Sequence, residues 1–484
     1  MNSADFQLVS GADLSFSGVV NVYNPARIDE AVGTIPRMAG GDVDKVVQAA
    51  HRAQPGWAAL SPVERYERIA QALAAIDMAG ADELLTREHG KVRADAAREL
   101  KYLDYPVKFL QTHLQWLAEG EDLGDNGMHH TKVYRAPYGV VGLLTPWNVP
   151  IGMGIITIAP ALLAGNSVIA HVPVTAPLTV LRIFGQLAAA LPKGVLSLIS
   201  SPDTAVAQAL VEHPLVRNVH FTGSTPIGAL VAKEAADTMT TVTLELGGND
   251  PAVVLDDALD DAAIYGRFIA AAFPFGGQAC IALKRLYVPK ARVGEVVEGL
   301  GAALTNTVVG DGLDPATTMG PLHTAVIRDN VKRLLEEARA AGGTVQEYGM
   351  LASDPDKGYF MLPAVVSGLE NSASVVAEEQ FGPVLPVIGY DSVDEAIAMA
   401  NDSEYGLGSS VWSADVEYAA RVAGRIDAGM TWINAHGGAG VDGRAPWGGV
   451  KLSGTGRGGA NRAGLEGFTE AHAVIMPGSG VRGA

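Results

Sequence analysis

The chain has 484 residues and a formal net charge of −18, with 53 acidic residues against 35 basic. That length suggests two or three domains, and the acidic balance argues against nucleic acid as a partner, because a phosphate backbone would be repelled. Cys280 is the only cysteine, which excludes a disulfide framework and a thiolate zinc site and fits a reducing cytoplasm.

Met1–Val20 carries Asp5 and Asp13 but no basic residue, so no secretory signal is expected there. Asp42–Ala53 and Pro62–Met78 read as amphipathic helices, the first opening on Asp42 and Asp44. From Ala136 to Leu181 no residue is charged, yet Pro137, Pro146, Pro150, Pro160, Pro173 and Pro177 cut the stretch. No proline-free run reaches the roughly 20 residues of a spanning helix. The stretch reads as the buried heart of an α/β domain, with no membrane partner. Strands are predicted at Val140–Leu144, Ser167–Ala170, Leu196–Ile199, Asn218–Phe221 and Val242–Leu246. Helices are predicted between them at Leu178–Leu191 and Thr204–Glu212. Short apolar strands separated by helices imply βαβ units and a parallel sheet. A second series follows Gly247-Gly248, at Ala252–Leu255, Arg285–Val288, Val384–Tyr390 and Met430–Asn434. The glycine-rich stretch from Gly437 to Gly464 contains Trp447 and Leu452 and reads as an ordered functional loop.

Four segments carry chemistry. A free cysteine is most often a small buried hydrophobe, but Phe275-Gly276-Gly277-Gln278-Ala279 places glycines just before Cys280. A thiol at such a turn, leading into a helix, would have an exposed sulfur and a depressed pKa. Glu245 ends a very apolar strand. It is either a satisfied strand-end carboxylate or a general base whose pKa burial has raised. Asn148 sits between Pro146 and Pro150, where its amide either satisfies its own turn or donates to a developing oxyanion. Phe221 to Gly228 follows a strand and opens a helix, a setting that suits a pyrophosphate, though one glycine-rich turn is a weak signal.

In the order Asn148, Gly223, Glu245, Cys280, these segments resemble the aldehyde dehydrogenase superfamily, of the NAD(P)+-dependent, non-acylating type. Tyr23-Asn24-Pro25-Ala26, Glu379-Gln380-Phe381-Gly382-Pro383, Trp432-Ile433-Asn434, Pro446 to Gly454 and Phe468-Thr469-Glu470 extend the resemblance over nearly the whole chain. It implies an α/β fold with a Rossmann-like cofactor domain (1–118 and 139–246) and an α/β catalytic domain (247–464). It also implies a small β arm (119–138 and 465–484) through which homodimers or homotetramers form. It implies Cys280 as nucleophile, Glu245 as hydrolytic base, and Asn148 with the Cys280 N–H as oxyanion donors. The cofactor would contact Leu144, Thr145, Trp147, His171, Gly223, Ser224, Gly228, Leu246, Glu379 and Phe381. No metal is implied. A CoA-acylating semialdehyde dehydrogenase and a catalytically silent protein on the same fold are the alternatives.

The chain departs from the family in several places. His171, Val172, Pro173 and Val174 replace the lysine, proline, serine and glutamate that normally follow the second strand, which leaves NAD or NADP open with a lean to NAD. Thr157 replaces a lysine, and Asn249-Asp250 replaces a lysine–asparagine pair. The substrate pocket should be lined by Val149, Met153, Ile156, Pro274, Ala279, Ile281 and Trp447. These seven are uncharged and favour a hydrophobic or aromatic aldehyde. They form an incomplete aromatic box for a quaternary ammonium. Arg444 and His436 lie close by in sequence and leave a semialdehyde open, although Arg444 also reads as a solvated loop charge.

Overall fold

The computed structural model describes residues 8–481. The first seven residues of the acidic N-terminal segment and the last three of the expected arm lie outside them. Two largely parallel sheets organise the chain. In the first, strands run in the order Gly454–Thr455, Thr241–Glu245, Val216–Thr222, Val140–Leu144, Ser167–His171, Leu196–Ile199. Only the short Gly454–Thr455 edge is antiparallel. Val140–Leu144 is buried at every position, as its unbroken apolar run requires of a central parallel strand. The second sheet has seven strands, in the order Thr344–Glu347, Ala364–Ser367, Val384–Tyr390, Leu283–Pro289, Asp250–Val254, Gly408–Trp412, Met430–Ile433. Its successive residues serve opposite cores. Leu286 and Val288 pack on one face with Val254, Tyr287 on the other with Val253. A separate antiparallel sheet joins Thr469–Pro477, His129–Pro137 and Glu121–Asp125.

The expected strands and helices are present, with ends shifted by a few residues. The first helix runs on through Pro55 to Ala58, because Trp57 buries its ring and donates to the Leu162 carbonyl at 2.8 Å. The second starts at a capping box, in which Ser61 accepts from the Glu64 N–H and the Glu64 carboxylate accepts from the Ser61 N–H. It ends at Ala74 rather than Met78.

The path of the chain through the first sheet fixes where a ligand can sit. From Val140–Leu144 it moves outward on one side through Ser167–His171 and Leu196–Ile199. It then crosses back to Val216–Thr222 on the other side. The connections leaving neighbouring strand ends therefore diverge beside Leu144, and such a divergence opens a crevice at the carboxyl ends of the strands. The loops Thr145–Val149, Val172–Pro177 and Gly223–Ser224 surround that crevice.

The antiparallel edge holds the far wall. Gly454 pairs with Glu245, and Ser453 accepts from the Leu246 N–H at 3.0 Å. Gly454 has φ of +141°, and a Cβ there would lie 1.9 Å from the Leu244 carbonyl oxygen. Gly454→Ala should therefore cost roughly 1–3 kcal/mol and pull the end of the Glu245 strand out of place. A thermal melt indistinguishable from wild type would show that this edge does not hold the strand.

Candidate active site

Cys280 follows a one-turn helix, Pro274–Gly277, whose last three residues have positive φ. Gly277 is obligatory there, since a Cβ would meet the Gly382 carbonyl oxygen at 2.2 Å. The turn leads into the Leu283–Pro289 strand, which corrects the expectation of a helix. The thiol also departs from expectation. Cys280 keeps only part of its surface, and burial pushes the thiol up to about 12. Asp250, Glu379 and Glu245 push in the same direction, while Lys284 alone pulls it down. Without a helix N-terminus at the sulfur, nothing offsets desolvation as the depressed value required.

The carbonyls around the thiol are held by buried donors. Asn148 Nδ2 donates to the Gln278 carbonyl at 3.1 Å, leaving its second amide hydrogen free of that contact. Lys284 Nζ donates to the Ala279 and Cys280 carbonyls at 3.0 and 2.6 Å. The Cys280 N–H has no acceptor among the described residues. Asn148 is itself pinned. Its own carbonyl accepts from Lys91 Nζ at 2.9 Å, and Lys91 is paired with Glu99, both side chains fully buried. Glu99 in turn accepts from the Ile151 N–H at 2.8 Å, at the start of the Pro150–Leu163 helix.

Glu245 closes the Thr241–Glu245 strand at 4% exposure, and neither carboxylate oxygen has a hydrogen-bond partner. Burial raises its carboxyl to about 8, against a weaker pull from the Arg457 charge. Glu379 lies 3.0 Å from Lys284 Nζ and accepts from the Gly248 N–H at 3.2 Å. Trp147 stacks on buried His323 at 4.4 Å and meets Phe381 edge-on at 5.7 Å.

One cavity of about 1100 Å³ takes in every expected catalytic, cofactor and pocket residue except Gly228, which instead packs against Leu246. Residues that the sequence did not nominate also line it. Tyr102 and Tyr105 bring an aromatic wall from upstream, their rings 5.1 Å apart, and Asp95, Arg98, Glu99 and Asp442 bring charge. Arg98 is largely exposed, Asp442 is nearly half exposed and paired with Arg444, and Glu99 is spent on Lys91. At the other end, Ile227 and Leu230 present half-exposed apolar side chains to the cavity from the Thr225–Ala236 helix. The N-cap of that helix, Ser224, makes no side-chain cap bond. Free first-turn N–H groups beside an apolar clamp fit a dinucleotide, with the pyrophosphate at the helix end and a ring on Ile227 and Leu230.

The aldehyde dehydrogenase family profile matches residues 14–474. The chain belongs to this family. It is 36% identical to the geranial dehydrogenase of Castellaniella defragrans, over 90% of this chain and 91% of that one. An NADP-dependent enzyme of Escherichia coli superposes with a TM-score of 0.91 at 30% identity, covering 98% of each chain. An aldehyde dehydrogenase C mutant from Pseudomonas syringae, solved with NAD+ and octanal, gives 0.89 at 32% identity over 96% of each chain. The protein is an NAD(P)-dependent aldehyde dehydrogenase with an α/β, Rossmann-like fold.

Two of the departures, and the two loop residues that left a semialdehyde open, have physical accounts. The Thr157 hydroxyl bonds the Met153 and Gly154 carbonyls inside its own helix and stays away from the cavity. Asn249 donates to the Val376 and Ala377 carbonyls, and Asp250 accepts from the Gly408 N–H, so the pair ties strands and loops of the second sheet. Arg444 is 81% exposed and paired with Asp442, and His436 is buried against Ser410. Neither lines the cavity.

Because the folded chain holds the Glu245 proton longer than the unfolded one, this group costs no stability below about pH 4.5. The cost grows as pH rises toward about 8 and then levels off. Glu245→Gln should therefore raise the melting temperature little at pH 5 and by several degrees at pH 8.5. A gap that does not change with pH would mean that Glu245 is ionised throughout.

Proposed function

We propose that the enzyme oxidises uncharged, apolar aldehydes to carboxylic acids with NAD+, through a covalent intermediate on Cys280. The observation that carries the substrate class is the wall beside Cys280. Val149, Met153, Ile156, Ile281 and Trp447 line it with Tyr102, and no cation enters it except Arg98, which is largely exposed. The geranial relative and the octanal complex point the same way.

In this reading the Cys280 thiol releases its proton to water and the thiolate attacks the carbonyl carbon. The free hydrogen of the Asn148 amide and the unpaired Cys280 N–H receive the oxyanion. When bound, the nicotinamide cofactor supplies the hydride acceptor. Glu379 and Phe381 would hold its nicotinamide end. Trp147, Leu246, Gly223 and Ser224 would border the remainder, with Leu144, Thr145 and His171 at the strand ends. Oxidation leaves a thioester on Cys280. Glu245, with no competing hydrogen bond, takes the proton from the hydrolytic water, and the acid departs. A buried base retained beside the thioester favours hydrolysis over acyl transfer to CoA.

The preference for NAD+ follows from charge. Burial drives His171 down to about 4, so its ring is neutral near pH 7. Val174 and Thr175 lie beside it, and the charged side chain lining that end of the cavity is Glu234. A 2′-phosphate would meet no cation there. We further propose the six-stranded unit as the cofactor domain and the seven-stranded unit as the catalytic domain. The three-stranded sheet, with open outer strands, would be the arm of a cytoplasmic homodimer or homotetramer. No helix among the described residues is long and apolar enough to cross a membrane.

A panel of octanal, an aromatic aldehyde, succinic semialdehyde and betaine aldehyde should give the highest kcat/KM with an apolar member. The highest value with a charged member would overturn the substrate class. NAD+ should exceed NADP+ by at least about tenfold in kcat/KM, a difference of ~1.4 kcal/mol, and parity would overturn the charge argument. Glu245→Gln should release a stoichiometric burst of reduced cofactor and then slow by roughly 10²–10⁴-fold, with an acyl adduct on Cys280 visible by intact mass. Wild-type turnover in this variant would remove Glu245 from the reaction.

A further inference from the structure

Lys284 and Arg285 are consecutive cations in the otherwise apolar Leu283–Pro289 strand, and both are buried. Their partners differ in kind. Arg285 donates to the carbonyls of Asn249, Met399 and Ala400, all scaffold groups around the second sheet. The Lys284 ammonium reaches the Ala279 and Cys280 carbonyls and the Glu379 carboxylate, every one at the reaction site. Desolvating an ammonium is costly unless its hydrogens are used. Here all three are directed at the nucleophile's loop and at the carboxylate facing the cofactor end of the cavity.

Two consequences follow from elementary geometry. All peptides here are trans, so the C=O and N–H of one peptide unit point in opposite directions. The Ala279 carbonyl accepts from Lys284 Nζ and from the Ala282 N–H at 3.1 Å, so the ammonium helps to hold the Cys280 N–H pointing the other way, where no acceptor among the described residues meets it. The ammonium is also the positive charge beside a sulfur otherwise faced by carboxylates. Asp250 opens the neighbouring strand, Glu245 ends a strand of the first sheet, and Glu379 lies on the loop before Val384–Tyr390.

We propose that Lys284 is the positioning residue of the nucleophile. It aims the Cys280 N–H at the oxyanion and supplies the counter-charge of the thiolate, and its pairing with Glu379 sets how much of that charge the sulfur feels. This rests on Cys280 as the reacting thiol. Lys284 pulls the thiol toward its charged form and Glu379 pushes it away, so removing one or the other should move the sulfur in opposite directions. A loop brace alone would predict the same loosening from either change.

The test needs neither aldehyde nor cofactor. Cys280 is the only cysteine, so iodoacetamide uptake by the full chain reports this sulfur alone. Second-order rates are measured from pH 7.5 to 9.5, with circular dichroism melts as a control for folding. A one-unit rise in thiol pKa cuts the thiolate fraction about tenfold, and the higher nucleophilicity returns about threefold of that. Lys284→Met should therefore alkylate at least about threefold more slowly than wild type, and Lys284→Arg should recover part of the rate. Glu379→Gln should alkylate about threefold faster. A folded Lys284→Met with the wild-type rate, or both variants shifting the same way, overturns the proposal. Should Lys284→Met fail to fold, Glu379→Gln decides alone, and no acceleration in it overturns the proposal. The aldehyde panel tests Cys280 as the reacting group separately. An enzyme that oxidises no aldehyde yet shows these opposed shifts would lose the mechanism while keeping the role of Lys284.

Discussion

Buried carbonyls must find donors, and on the loops that face the thiol several of those donors are charged or amide side chains. Lys91 takes the Asn148 carbonyl, Asn148 takes the Gln278 carbonyl, and Lys284 takes those of Ala279 and Cys280. The chain of contacts runs from the first sheet's domain across to the second. At Cys280 this leaves the N–H facing away from the held carbonyl. An oxyanion site at that N–H, as proposed above, would be preorganised by bonds on its far side and need no rearrangement when charge develops. The cost is two buried ammonium groups, and each is matched by a carboxylate, Glu99 for Lys91 and Glu379 for Lys284.

The two sheets contribute differently. The first provides a crevice, because its strand order reverses beside Val140–Leu144 and the loops there part. The second carries Cys280, the proposed nucleophile, at the head of its buried Leu283–Pro289 strand. Glu245 and Leu246 lie at the passage from one to the other, and the antiparallel edge at Gly454 clamps that passage from the C-terminal side. The cavity therefore has walls from segments nearly 300 residues apart, such as Asn148 and Trp447. Its volume depends on the whole chain being folded.

Much of this was legible in the sequence, for definite reasons. Parallel strands buried on both faces are continuous apolar runs, so Val140–Leu144, Leu196–Ile199 and Val384–Tyr390 could be read to the residue. The positions brought to the cavity carried motifs with local cause, prolines beside Asn148 and glycines before Cys280. What escaped had no local mark. Glu99 lies in the Arg93–Leu100 helix, four of whose eight residues are charged, and only the fold shows its side chain at zero exposure. Tyr102 and Tyr105 reach the cavity through tertiary packing alone. Lys284 did leave a trace, since a cation in an apolar strand demands a partner, but the identity of that partner is not written in the strand. The thiol was misjudged because a glycine turn says nothing about the density of what surrounds it.

That misjudged thiol has a bearing on chemical durability. Peroxides attack the thiolate, and a sulfenic acid once formed is normally rescued by a neighbouring thiol as a disulfide. This chain has no second cysteine to perform the rescue. Keeping the sulfur protonated at rest, with a value pushed up to about 12, leaves an oxidant almost no anion to attack. The same burial that withholds reactivity from the resting sulfur thus guards the only thiol of the chain.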